Sequence, residues 1–265
     1  MVQLCGVGRL MGSPSGAVSL LPQTLALIAA MTVPPSDARA ILINNLMTVI
    51  VNNGITGDLF YALCAHDAQA ARLNWLAPSS YALLPINGPT FTTDSGYQGD
   101  GLSSYLRTQY NASTNAVAFT LNGGSIGISS LTNDNTGMDM GALNSVSTFT
   151  QIRNAGIQGG RINNAGTATS VASSSGIGTT ILVRDSATTE KIYREGSQVG
   201  AATINATGIP NREVIVLGRN NTTPTYGTKK LAAAFQIGTL TGPQAAALTT
   251  GIAAYVNAIS PGSLP

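Results

Sequence analysis

The spacing of apolar side chains changes near each end of this chain. Between Ser36 and Gly54, in SDARAILINNLMTVIVNNG, the residues Ala38, Ile41, Leu42, Leu46, Val49 and Ile50 recur at steps that put them on one helical face. Pro34 and Pro35 precede the stretch and Gly54 closes it, the expected start and stop signals. Asn44, Asn45, Asn52 and Asn53 fall largely away from that stripe. A second helix is predicted in GDLFYALCAHDAQAARL, with Asp58 as N-cap, Leu59, Leu63 and Cys64 on one face, and a break near His66 and Asp67. The stripe fits a docking or oligomerising base and a cap packed on the following sheet equally well, because amphipathicity does not name the partner.

After Trp75 the pattern becomes that of strands, with frequent Ser, Thr and Val and glycines at short intervals. Strands are predicted in TFTTD near Phe91, SSYLRT near Tyr105, AVAFTL from Ala116, SIGISSL from Ser125 and STFTQIR from Ser147. AFTLNGGSIGI reads as a hairpin turning at Asn122 and Gly123, since Asn-Gly readily adopts positive φ. Further on, a strand through Ile181 to Arg184, a turn at Asp185 to Thr188, a strand through Ile192 and Tyr193, and a turn at Glu195 and Gly196 follow in order. REVIVLGR alternates Val214, Val216 and Gly218 with Ile215 and Leu217, as a strand buried on both faces does. Helical spacing returns in TGPQAAALTTGIAAYVNAISPG, where Thr241 and Gln244 fit a capping box and Leu248, Ile252, Tyr255, Val256 and Ile259 mark one face. Many short strands with regular turns argue for a β-sandwich or jelly roll; a closing helix would protect its edge.

The segment GYQGDGLSSYLRTQY, Gly96 to Tyr110, has the glycines of a phosphate loop without the preceding strand, following helix or terminal Lys-Ser that such loops need. It is read as a turn, at Gly96, Gly99 and Gly101, opening into a strand.

Composition narrows the function classes. The 265 residues are 43% hydrophobic, enough for a sizeable core, yet only 9% charged, against about a quarter in ordinary soluble proteins. The net charge is +2 and no basic run occurs, so nucleic acid is not an expected partner. The apolar piece from Leu25 to Met31 is too short to span a bilayer and barely as long as the shortest signal-peptide hydrophobic region, and reads as a short helix or docking arm.

Candidate chemistry is sparse. Cys5 and Cys64 have no CxxC or histidine neighbours, so a metal or redox pair is not expected, and both read as buried or free thiols. His66 beside Asp67 lacks an aimed nucleophile and is read as tying a loop. Glycosidases on sandwiches need two carboxylates facing one sugar, and no strand supplies them. The nearest pair, Asp134 and Asp139 in TNDNTGMDMG, reads as a turn and only loosely as a calcium loop, so no metal, cofactor or catalytic residue is assigned. GRNNTTPTYG, Gly218 to Gly227, offers Asn220, Asn221 and the Tyr226 ring for a sugar, or forms a plain polar loop; Asp134 and Asp139 complete the weak glycan-binding set.

The stretches PPSDARAILINNL, LFYALCAHDAQAA and LNWLAPSSYALLPINGPTFTTDSGYQGDGLSSYLRTQYN resemble a group of tailed-bacteriophage and prophage structural proteins. KIYREGSQVG, LGRNN and TGPQAAALTTGIAAYVNAI are similar to the closing hairpin, penultimate strand and final helix of their laminin-G-like, concanavalin-type jelly roll, so the resemblance runs from about Pro34 to Ile259. It implies a mainly β fold with an amino-terminal helical region and a carboxyl-terminal helix. The chain is expected to divide into an arm (1–33), whose first thirty residues have no counterpart in those proteins, a helical anchoring or oligomerising region (34–74) and a sandwich with terminal helix (75–265). It implies a non-enzymatic virion component, assembled in the host cytoplasm as decoration, head fibre or spike, collar or tail appendage. Its partners would be capsid, collar or tail proteins, further copies of itself and cell-surface glycan, without membrane insertion. The rival expectation is a carbohydrate-binding or glycan-cleaving module of a bacterial or prophage protein.

Overall fold

The caps set the helices before the first strand. The computed structural model describes residues 19–265; Cys5 and the first part of the arm lie outside them. Helix α1 (Pro22–Ala29) starts on a proline, and α2 (Asp37–Asn52) on Ser36, whose hydroxyl accepts from the Arg39 amide. Asn44 corrects the expectation that it lies off the packed face. It is buried because its Oδ1 accepts from the Leu21 N–H (2.7 Å) and the Thr24 hydroxyl (3.0 Å), tying α1 to α2.

The predicted second helix is instead strand β1 (Gly57–Ala62). Leu59, Phe60 and Tyr61 are all fully buried, so this short strand is apolar on both faces and its period of two is hidden. Asp58 is no N-cap. Its carboxylate accepts from the backbone N–H of Val117 (2.8 Å), Ala118 (3.2 Å) and Phe119 (2.9 Å) and from the Tyr110 hydroxyl (3.2 Å). Those contacts take the donors a strand at AVAFTL would have used, and this segment is a loop with one bridge, Thr120 to Gly123. The turn falls at Leu121 and Asn122, and neither Asn122 nor Gly123 has positive φ. His66 does tie a loop, its Nε2 lying 2.9 Å from the Val33 carbonyl.

The strands then follow as β2 (Leu84–Ile86), β3 (Thr90–Thr92), β4 (Gly96–Gln98) and β5 (Tyr105–Asn111), the last ending in one helical turn, α3 (Ala112–Asn115). Next come β6 (Gly124–Ser130), β7 (Met140–Leu143), β8 (Ser147–Asn154), β9 (Ile157–Asn164) and β10 (Thr169–Ala172). β11 (Gly178–Arg184), β12 (Thr189–Arg194) and β13 (Ser197–Thr203) form a meander, with Glu195 and Gly196 at φ 46° and 76° in its second turn. β14 (Glu213–Val216), a short ribbon of β15 (Gly218–Arg219) and β16 (Thr225–Tyr226), β17 (Lys230–Ile237) and α4 (Gly242–Ile259) complete the order.

Two antiparallel sheets result. The first runs β13-β12-β11-β6-β17-β4-β3 with β1 also on β17, and the second β10-β9-β8-β7-β14-β5-β2. Every residue of β6 and β11 is buried, because the first sheet is covered on both sides. The second sheet covers one side. On the other, Phe60 stacks on Phe235 (5.7 Å between centroids) and meets Trp75 (5.9 Å), which stands edge-on to Tyr255 of α4 (5.6 Å). Gly127 permits this packing, since a Cβ there would lie 2.3 Å from the Phe235 ring. The predicted capping box of α4 forms, and Gln244 also donates to the Asn53 carbonyl (2.8 Å), joining the ends of α4 and α2.

Between the sheets the packing is partly polar. Arg184 and Glu190 form a fully buried ion pair, and Glu190 also accepts from the Ile162 N–H, Asn164 and Thr169. All guanidinium nitrogens of Arg184 are hydrogen-bonded, which makes such a pair tolerable inside a sandwich.

Candidate functional site

Along β8 the side chains alternate, so that Ile152 joins the core while Phe149 turns to the opposite face of the second sheet. Arg161 is the cross-strand partner of Phe149 and shares that face. At Leu217, φ +67° turns the chain out of β14, and Gly218 passes so close over Ile215 that a Cβ would be 3.3 Å from its Cδ1. The β15–β16 ribbon therefore lies across the outer face of the second sheet. It carries the Arg219 guanidinium to 4.9 Å from the Phe149 ring centre, while Arg161 stands 5.9 Å from the same centre.

At the far end of the ribbon Tyr226 stacks on Tyr105, 5.7 Å apart with planes 28° from parallel. Burial, with Tyr105 and Asp100 nearby, raises the Tyr226 hydroxyl pKa. The glycine-rich turn meets the ribbon here: a Cβ on Gly99 would sit 2.2 Å from the Gly227 carbonyl, and the Gly101 N–H donates to that oxygen (3.2 Å). Gly101 has φ +73°, as the turn reading requires. Asp100 shapes the turn by accepting from the N–H groups of Leu102, Ser103 and Ser104, each at 2.8 Å, which hold its carboxyl well below the usual range.

The five residues singled out from the sequence separate. Asn220 anchors the ribbon: its Nδ2 donates to the Glu213 carbonyl (2.8 Å) and its backbone bonds Gly141 and Leu143. Asn221 is half-buried, and its Oδ1 has no hydrogen-bond partner among the described residues. Tyr226 is half-buried in the aromatic pair. Asp139 is corrected from surface ligand to core residue, being 1% exposed, 3.2 Å from the Lys229 ammonium and bonded by the Ile152 N–H (2.7 Å). Burial raises its pKa to about 6, with Lys229 opposing the rise. Asp134 accepts from the Thr132 hydroxyl (3.2 Å) and closes a turn. No group of three or more metal-type ligands occurs among the described residues.

Phe149, Arg161, Arg219 and Tyr105 were not singled out in sequence, although Arg219 lies inside the GRNNTTPTYG loop. Among the described residues the Arg161 side chain hydrogen-bonds only the Ser147 hydroxyl, at 3.5 Å. The Nε atoms of both arginines are buried without a partner among the described residues. Burial lowers the Arg219 pKa, and the charge of Arg161 lowers it further.

Neither a family model nor a curated protein matches the chain. Among solved structures it is similar to Trypanosoma rangeli sialidase in complex with sialic acid, at TM-score 0.52 and 8% identity over 82% of this chain and 38% of that one. A mutant of that sialidase displaying trans-sialidase activity gives TM-score 0.52 and 9% identity over 82% and 39%. The Botulinum neurotoxin serotype D binding domain gives 0.48 and 10% over 77% and 52%. At such identities the sialidase likeness concerns the fold alone, and the chain spans about two fifths of the sialidases' length. The fold defines a mainly β protein, a sandwich of two antiparallel sheets with a carboxyl-terminal helix.

Proposed function

We propose that this chain is a non-enzymatic structural component of a tailed-bacteriophage particle that contacts cell-surface glycan through the outer face of its second sheet. The observation that carries the glycan contact is the Tyr105–Tyr226 pair beside a ribbon of amide and hydroxyl side chains, since an aromatic face stacks on a sugar ring while neighbouring polar groups bond its hydroxyls. The particle role rests on the resemblance between Pro34 and Ile259. A structural rather than catalytic role is supported by the use made of the acids: Asp58 and Glu190 are buried hydrogen-bond acceptors, Asp139 pairs with Lys229 and Glu213 with Arg107. The partners are capsid, collar or tail proteins and further copies of the chain, with a charge-poor surface that sets up little repulsion between copies.

Peptide mass spectrometry of purified particles is expected to find the chain; its absence would overturn the particle role. On a glycan array, Tyr226→Ala should weaken binding roughly tenfold, and undiminished binding would remove this face from the contact. A second reading, a carbohydrate-binding or glycan-cleaving module of a bacterial or prophage protein, is favoured by the fold likeness to sialidases. Release of reducing sugar by the purified chain would establish the cleaving form.

A further inference from the structure

Arg161 and Arg219 are two of six cations outside any ion pair among the described residues, with Arg72, Arg153, Arg212 and Lys230, and they are the two that share one aromatic ring. Six ion pairs occur among the described residues, and neither Arg161 nor Arg219 belongs to one. Residues 1–18 contain no acidic side chain that could supply the missing charge. Both guanidiniums share one ring, the Arg161 charge opposes that of the partly buried Arg219, and no hydrogen bond within the described residues fully offsets the cost. The fold holds them there firmly: Arg161 by its register with Phe149, Arg219 by the turn at Leu217 and the anchoring of Asn220. Two fixed cations held over one ring, beside a ribbon of polar side chains and its aromatic pair, are complementary to an anion carried on a polar, ring-bearing ligand.

We propose that Arg161 and Arg219 form an oxyanion-binding subsite on the outer face of the second sheet, selecting glycans that carry a carboxylate or an acidic ester. The subsite rests on the glycan-contact reading and adds the substrate class to it. The guanidinium forks bond the anionic oxygens, and Tyr226 with the ribbon takes the neutral part of the sugar. Guanidinium forks fit a carboxylate and a sulfate ester alike, so the source of the anion is a matter for the binding probes.

The test measures binding of the purified chain to polygalacturonate, dextran sulfate and neutral dextran. Variants are Arg219→Gln, Arg161→Gln and, as a control cation elsewhere on the fold, Arg72→Gln. Wild type is expected to bind one or both acidic polymers and to lose roughly tenfold or more with either site variant, while Arg72→Gln binds as wild type. Preference for polygalacturonate would assign a carboxylate, and preference for dextran sulfate an ester. Melting temperature separates binding from scaffolding: removing one of two like charges should leave it unchanged or raise it. Should Arg219→Gln fail to fold, Arg161→Gln reads the same subsite. Equal binding of neutral dextran with no effect of either site variant would overturn the subsite and leave the glycan reading standing. An equal loss with Arg72→Gln would reduce it to general charge attraction, and no binding of any polymer would overturn both.

Discussion

Replacing Glu190 with alanine tests the interior most directly. The substitution removes the only carboxylate paired with Arg184 among the described residues, where both side chains are fully shielded from water. It also strips an acceptor from the Ile162 N–H (3.0 Å), Asn164 (2.8 Å) and the Thr169 hydroxyl (2.7 Å). Arg184 keeps carbonyl acceptors at Ile162 (2.8 Å) and Ile204 (2.9 Å), so it stays in place as an unneutralised cation. Breaking one side of such a pair costs about 3–5 kcal/mol, and each orphaned donor adds on the order of 1 kcal/mol or more, not additively. Against a domain stability of about 5–15 kcal/mol, Glu190→Ala should lose at least about 3 kcal/mol in urea unfolding followed by circular dichroism. The double variant Arg184→Met, Glu190→Leu removes both charges and should lose less than the single one. A loss below about 1 kcal/mol for Glu190→Ala, or a double variant worse than the single, would refute the view that this pair is a matched unit.

Three further outcomes follow from the geometry. Gly101→Val places a branched side chain at φ +73° with its Cβ 2.7 Å from the Thr228 methyl, and should cost on the order of 1 kcal/mol or more; an unchanged melting temperature would show the turn to be wrongly assigned. Asp139, raised from 3.8 to about 6, binds a proton more tightly folded than unfolded. Its contribution is therefore present in full below about pH 4 and is lost as pH rises through about 6, on the order of 2–3 kcal/mol. Asp139→Asn should lack that slope between those limits, and parallel profiles would refute it. Burial pushes the Cys64 thiol to about 12, and its S–H donates to the Asp94 carbonyl (2.8 Å). In a Cys5→Ser background iodoacetamide at pH 8 should leave native protein unmodified and alkylate it only when unfolded, whereas labelling of the native form would contradict the burial.

Elements whose signals are local were legible in the sequence. The capping box at Thr241 and Gln244 and the Glu195-Gly196 turn each involve neighbours within four residues, and each formed as expected. The Gly57–Ala62 strand was not legible, because burial on both faces erases its alternation and leaves a run that also fits a helix. The candidate site was half legible. Tyr226 and the ribbon could be picked out by composition, while Phe149, Arg161 and Arg219 meet only through pairing between β8 and β9 and the fold-back of β15. The alternation in STFTQIR, which sends Phe149 away from Ile152, was the one available hint.

Strand β17 borders β6 along one edge and β1 and β4 along the other, although it follows all three of them in the chain. Its partners must wait, with backbone groups unsatisfied, until residues 230–237 emerge, so the first sheet closes only once that strand has been made. Nascent chains stalled short of that strand should be prey for proteases and chaperones.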